Sequence, residues 1–193
     1  KSKKPDQHKY KVRYHHYEVQ FTNSNEAIRF DERNPLDARG NYFLGDDPSK
    51  WTQDVRSYRE IWYHNVYDGV DLQFMVTDSS FKYNWVLGPD ADLGSVKMRY
   101  KGLNDMRLRA NKIHLVTSLN THKEAIPASF VPGYENSPVS VRYKLEGETV
   151  SFITNQSTSQ GLIIDPEVVF ATYAGNTADN FGFTATYDSL GNL

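Results

Sequence analysis

The 193-residue sequence contains no cysteine, which removes disulfide staples, thiolate metal sites and a cysteine nucleophile together. It leaves the compartment open, because a domain of this size folds outside the cell without disulfides. No apolar run approaches the length of a membrane span. No segment of useful length keeps the 3.6-residue period of an amphipathic helix. An excess of one charge is missing as well. The 22 basic and 24 acidic residues give a net charge of −2, so nothing draws the whole chain toward nucleic acid or a membrane surface. There is no G-x-S-x-G, no H-E-x-x-H and no Gly-rich phosphate loop. These absences point to a domain that is not an enzyme and has no cofactor, metal, nucleic-acid partner or membrane span.

Aromatic side chains are plentiful: 13% of the residues, with 13 tyrosines. They suit a pleated surface, and nearly every readable segment alternates with period two. Residues 9–21 (KYKVRYHHYEVQF) read as one long strand whose apolar set changes face midway, which predicts a bulge at His15-His16. Val70, Leu72, Phe74 and Val76 share a face, as do Phe81, Tyr83, Trp85 and Leu87, with residues 77–80 as the hairpin loop. Val96, Met98 and Tyr100, then Met106 and Leu108, then Ile113 and Leu115, and finally Val139 to Leu145 repeat the pattern. Gly147 turns the last of these into residues 150–153.

Clusters of Gly, Pro, Asn and Asp separate these runs, as in GDDPSK, GPDADLG and PGYENSP. Turns at this pitch predict an all-β, antiparallel sandwich-like domain with little helix. One helical turn is expected at residues 47–51, with Asp47 as cap and Pro48 in first position. Pro166 is expected to split two short strands at an edge or crossover. The texture becomes small and Gly-rich after residue 172, which divides the chain into a domain over 1–172 and a second unit over 173–193. In the latter, Phe181, Phe183, Ala185 and Tyr187 alternate, and residues 188–192 read as a turn without a returning strand. The first residue is Lys rather than Met, so both ends are expected to be those of a fragment.

The segments YFLGDDPSKW (42–51), YREIWYHNVYDGVDLQF (58–74), FKYNWVLGPDAD (81–92), LIIDP (162–166) and FATYAGNTADNFGFTATYDSLGN (170–192) occur in that order. Together they resemble the amino-terminal β domain of large secreted proteins of the Bacteroidota, in which the domain precedes β-propeller repeats. Many such proteins carry gliding-motility-associated sorting regions. The resemblance spans roughly residues 9–193. It implies export by the type IX route, display at the cell surface or release, and a final stretch that begins a propeller blade. It implies no catalytic residues.

Each candidate ligand also has an ordinary structural role. His15 and His16 point to opposite faces of a strand, whereas His122 and Glu124 share one; two ligands fall short of a zinc site. Asp90, Asp92 and Gly94 echo a calcium loop but lack its remaining ligands, so a capped turn is the better reading. Asp71 and Asp165 are expected to be hydrogen-bonded structural carboxylates, and nothing in the sequence pairs any two acids for catalysis. Trp85 belongs to the core face. Trp62, beside His64, is the best candidate for an exposed aromatic. Lys97, Arg99, Lys101, Arg107, Arg109 and Lys112 are expected to share one sheet face with only Asp105 opposing them. Asn155-Gln156-Ser157 is a formal glycosylation sequon, and Asp188-Ser189-Leu190 resembles the O-glycosylation site of exported proteins in this bacterial group, at Ser189.

The resulting expectation is a non-enzymatic module of a secreted or surface-displayed protein that adheres or docks to envelope or secretion-machinery proteins. The alternative is a carbohydrate-binding module meeting surface polysaccharide through Trp62, His64, Arg99 and Arg107.

Overall fold

The computed structural model describes residues 13–43, 45–76 and 81–169. Within them lie β1 (Glu18–Phe21), β2 (Arg29–Tyr42), β3 (Thr52–Tyr67), β4 (Val70–Val76), β5 (Phe81–Leu87) and β6 (Lys97–Lys101). These are followed by β7 (Asp105–Arg109), β8 (Lys112–Val116), β9 (Thr121–Phe130), β10 (Val141–Glu146), β11 (Thr149–Thr154) and β12 (Leu162–Val169). Helix among the described residues is limited to 3-10 turns at Pro48–Lys50 and Leu93–Ser95, each opened by an aspartate that caps it. The all-β, antiparallel, sandwich-like expectation holds.

The strands form two sheets, one ordered β1-β6-β11-β10 and the other β2-β3-β4-β5-β12-β9-β8-β7. Alternation in the sequence becomes burial here. Met98 and Tyr100 from β6, Tyr143 from β10 and Phe152 from β11 meet Leu72, Trp85, Ile113 and Ile164 from the larger sheet in one core. Trp85 and Ile164 are fully enclosed. Each such side chain contributes about 2 kcal/mol by leaving water. The β7–β8 turn consists of Ala110 and Asn111, both at positive φ (46° and 57°), the conformation whose twist matches a two-residue hairpin.

Two expectations change. Residues 13–17 form no strand. The first strand among the described residues starts at Glu18, and Tyr14 is 84% exposed. Only residues 18–21 find a partner in β6, while His15 is drawn aside to the Ser118 hydroxyl and the Gly102 carbonyl. Pro166 lies inside a single central strand, between β5 and β9, rather than at an edge. The register shifts between Asp165 and Glu167 there, so a bulge leaves the proline without the ladder partner it is unable to donate to. Residues 155–161 are accordingly a loop of the sandwich leading into its central strand. The alternating stretch 181–187, the turn after it, the hairpin loop 77–80 and the unit over 173–193 lie outside the described residues.

β2 and β3 outrun the rest of the sheet. β3 pairs with β4 only from Glu60 onward, whereas its residues 52–58 pair with β2 alone. The overhang is about 25 Å by the usual rise per strand residue. No residue from 32 to 59 that the structure describes is buried.

Candidate functional site

Trp62, His64 and their neighbours occupy the outer face of the larger sheet. Cross-strand register builds one row there: Asp31 on β2, Trp62 on β3, Gln73 on β4 and Asn84 on β5 are successive partners. His64 follows two residues along β3, so its ring lies on the same face and stacks on Trp62, centroids 6.0 Å apart and planes 12° from parallel. On the other side Arg33, whose partner is Glu60, sets its guanidinium 4.7 Å from the Trp62 ring centre. The indole N–H donates to Glu60. This hydrogen bond, with those from Gln73 and Asn34, holds the Glu60 carboxyl below its ordinary range against partial desolvation.

His64 bridges two carboxylates. Its Nδ1 lies 2.8 Å from Asp71, and its Nε2 meets Asp31, which also receives Arg33. Both contacts are hydrogen bonds when both ring nitrogens carry protons. Desolvation works to raise the Asp31 carboxyl, but hydrogen bonds from Arg33 and His64 prevail and hold it low. The second Asp71 oxygen accepts the Asn65 N–H at 2.7 Å, and the Asn65 carbonyl oxygen of the side chain accepts from Gly69 at 3.2 Å. Asn65 (φ 56°) and Gly69 (φ 71°) take left-handed conformations that the β3–β4 turn requires. The YHNVYDGVD string is therefore a self-bonded bulge and turn.

The arrangement corrects the picture of Trp62 as an open aromatic platform. Both faces of its ring are covered, by His64 and by Arg33. Sequence reading placed Trp62 beside His64 but missed Asp31, Arg33 and Asp71, which reach them from other strands. The carboxylate pair that the sequence had no means of identifying is Asp31 with Asp71, and the imidazole between them serves as a structural link.

The basic set does not share one face. Lys97, Arg99 and Lys101 lie on β6 of the smaller sheet, whereas Arg107, Arg109 and Lys112 lie on β7 and β8 of the larger one. Arg99 is paired with Glu148 and Lys101 stands opposite Glu18. Arg107 is paired with Asp105. Two strands separated in sequence by one turn went to different sheets, which period two alone does not reveal. Asp165 pairs with Lys82 at 3.7 Å. Asp92 caps its turn through the Gly94 N–H, as expected. Beside it, a polar depression of about 400 Å³ is lined by Asn23, Asn25, Asp68, Asp90 and Asp92, among others. Among the described residues no three His, Asp or Glu side chains converge as metal ligands. Ser189 lies outside the described residues.

Inside the sandwich, Glu124 on β9 is almost fully enclosed. The Tyr83 and Tyr143 hydroxyls both donate to its Oε1, the latter at 2.8 Å from the opposite sheet. Burial pushes the Glu124 carboxyl up, against the lowering effect of these two bonds. Burial and the proximity of Glu124 push the Tyr83, Tyr100 and Tyr143 hydroxyls well up too, so they remain protonated donors. The alternation showed Glu124 on one face of a strand with His122, but not which hydroxyls would meet it.

The free end of the β2–β3 ribbon carries the other unusual feature. Phe43 is 55% and Trp51 39% exposed, and their rings meet edge to face with centroids 5.3 Å apart. The Asp47-capped turn sets this pair, since the Trp51 N–H bonds the Pro48 carbonyl and its indole N–H bonds the Gly45 carbonyl at 3.1 Å. An ion pair of Arg39 with Asp54 braces the ribbon behind the tip.

A family model described as Domain of unknown function (DUF7948) matches residues 1–167. No curated protein and no solved structure matches the chain.

Proposed function

The chain belongs to the DUF7948 family, and we propose that it is a non-enzymatic interaction module of a secreted or surface-displayed protein, with the β2–β3 ribbon as its docking arm. The observation that carries this reading is the ribbon itself. A two-stranded ribbon is marginal in water, yet this one extends past its sheet with none of its described residues buried and ends in two exposed aromatic rings. Exposed aromatic side chains held in a fixed geometry are the residues that anchor protein interfaces. The partner is a protein of the cell envelope presenting an apolar pocket to Phe43 and Trp51. The surface setting, the export route and the following propeller unit rest on the sequence resemblance.

Photo-crosslinking tests the arm. A crosslinking residue at Phe43 should trap one envelope protein on intact cells, and the same residue at Lys101, on the opposite sheet, should not. Purified chain should compete for that crosslink, whereas the Phe43→Ser/Trp51→Ser double variant, with unchanged melting, should not. Equal trapping from both positions, or equal competition by the variant, would sink the reading. Carbohydrate stacking on Trp62 is the weaker alternative, because both faces of the ring are already filled.

A further inference from the structure

The outer face of β7, β8 and β9 concentrates positive charge in a chain whose total charge is slightly negative. Arg107, His114 and Lys123 are register partners in a row across the three strands, and Arg109 and Lys112 are partners in the next row. Direct partners share a face, so these five side chains form one patch. Arg107, Arg109, Lys112 and Lys123 are exposed. Of the described side chains on this face, the one carboxylate is Asp105, which is engaged with Arg107. The β6 basic residues differ, since Glu148 and Glu18 stand against them.

Charge on an edge strand commonly serves to prevent pairing with other sheets. That accounts for Arg107 and Arg109, because β7 is an edge. It does not account for Lys112 and Lys123, which lie on the second and third strands. Partial desolvation and then Lys123, Arg109, Lys112 and Arg107 lower the pKa of His114. The fold thus tolerates mutual repulsion here.

We propose that the β7–β9 face is a binding surface for an anionic polysaccharide, which would lie across the strands. Strand spacing sets Arg109 and Lys112 about 5 Å apart and Arg107 and Lys123, on either side of His114, about 10 Å apart, so a polymer with acidic groups repeating at such intervals meets them in succession. Where the three strands pair, over residues 105–109, 112–116 and 121–125, the rest of the face offers no aromatic ring for a nucleobase and no large apolar anchor for a protein: besides Asp105, its other side chains there are Val116, Thr121 and Ala125. The inference is independent of the docking arm, which projects from the opposite edge of the same sheet.

The test is calorimetry on the whole chain with polygalacturonate and dextran sulfate as probes and uncharged dextran as control. Both anionic polymers should bind and dextran should not, with affinity falling steeply between about 50 and about 200 mM NaCl. Lys112→Glu/Lys123→Glu should weaken binding about tenfold, whereas Lys97→Glu/Lys101→Glu, the same change of net charge on the other sheet, should shift it by less than about twofold. All four positions are exposed, and thermal melts should confirm that both variants fold. Equal loss in the two variants, absence of binding or salt-independent affinity would overturn the proposal. So would tighter binding to polyglutamate or to phosphatidylglycerol vesicles than to either glycan.

Discussion

Trp62 and His64 lie face to face two residues apart on β3, with Arg33 closing the far side of the indole and Asp31 and Asp71 holding the imidazole. A ring with neither face open is a structural rung. Its exposure to solvent at the edge of the stack gives a sugar nothing flat to rest on.

Trp62→Ala should therefore cost about 1–2 kcal/mol of stability in urea unfolding, from the lost stack, the cation–π contact and the indole hydrogen bond. Neither the parent nor the variant should show saturable binding of neutral oligosaccharides. Clear binding by the parent that disappears in the folded variant would restore the carbohydrate-stacking reading.

Glu124 makes stability depend on pH with a definite sign. Its carboxyl is raised in the folded chain above the ordinary 4.5, so between that value and its folded value the native state holds more protons than the unfolded one. The stabilisation is complete below about pH 4.5 and is lost as pH rises through the folded value. Glu124→Gln keeps an oxygen for the Tyr83 and Tyr143 hydroxyls without a proton to lose. Melting curves above pH 4.5 should show the variant gaining on the parent as pH rises, and a constant difference would refute this.

The β2–β3 ribbon should open on its own. Amides of residues 52–59 have partners on one side only, whereas those of residues 60–63 lie between two strands. Hydrogen exchange should be at least about tenfold faster in the first set than in the second. Uniform protection along β3 would mean that the ribbon is covered in solution.

His114 reports the electrostatics of the β7–β9 face. Partial desolvation and four neighbouring cations lower its titration. Lys123→Gln should move its midpoint upward toward the ordinary imidazole value, followed by the NMR shift of the ring protons, while Lys97→Gln should leave it in place. Bound polyanion should also move it upward. A midpoint indifferent to Lys123 would refute this.

Much of the architecture was legible because alternation is a local property. The faces of β4, β5, β6, β8 and β10 followed from period two, and Asp47-Pro48 announced its turn through the capping chemistry of a few neighbouring residues. The same local signal misled where pairing was needed to complete it. Tyr14 alternates as a strand residue should, but it has no partner strand among the described residues and stands exposed. Pro166 reads as a strand terminator, yet a bulge accommodates it at the centre of a sheet.

The sequence by itself determined the class of fold and the face that several of its strands would bury, because both are set by side-chain alternation along the backbone. Only the tertiary structure decided which face met which. It placed β12 between β5 and β9, brought Asp31 and Asp71 to one imidazole, and separated Arg99 from Arg107. Sheet order depends on long-range pairing, whose free energy is shared among many residues far apart in the chain. No short stretch of sequence carries it.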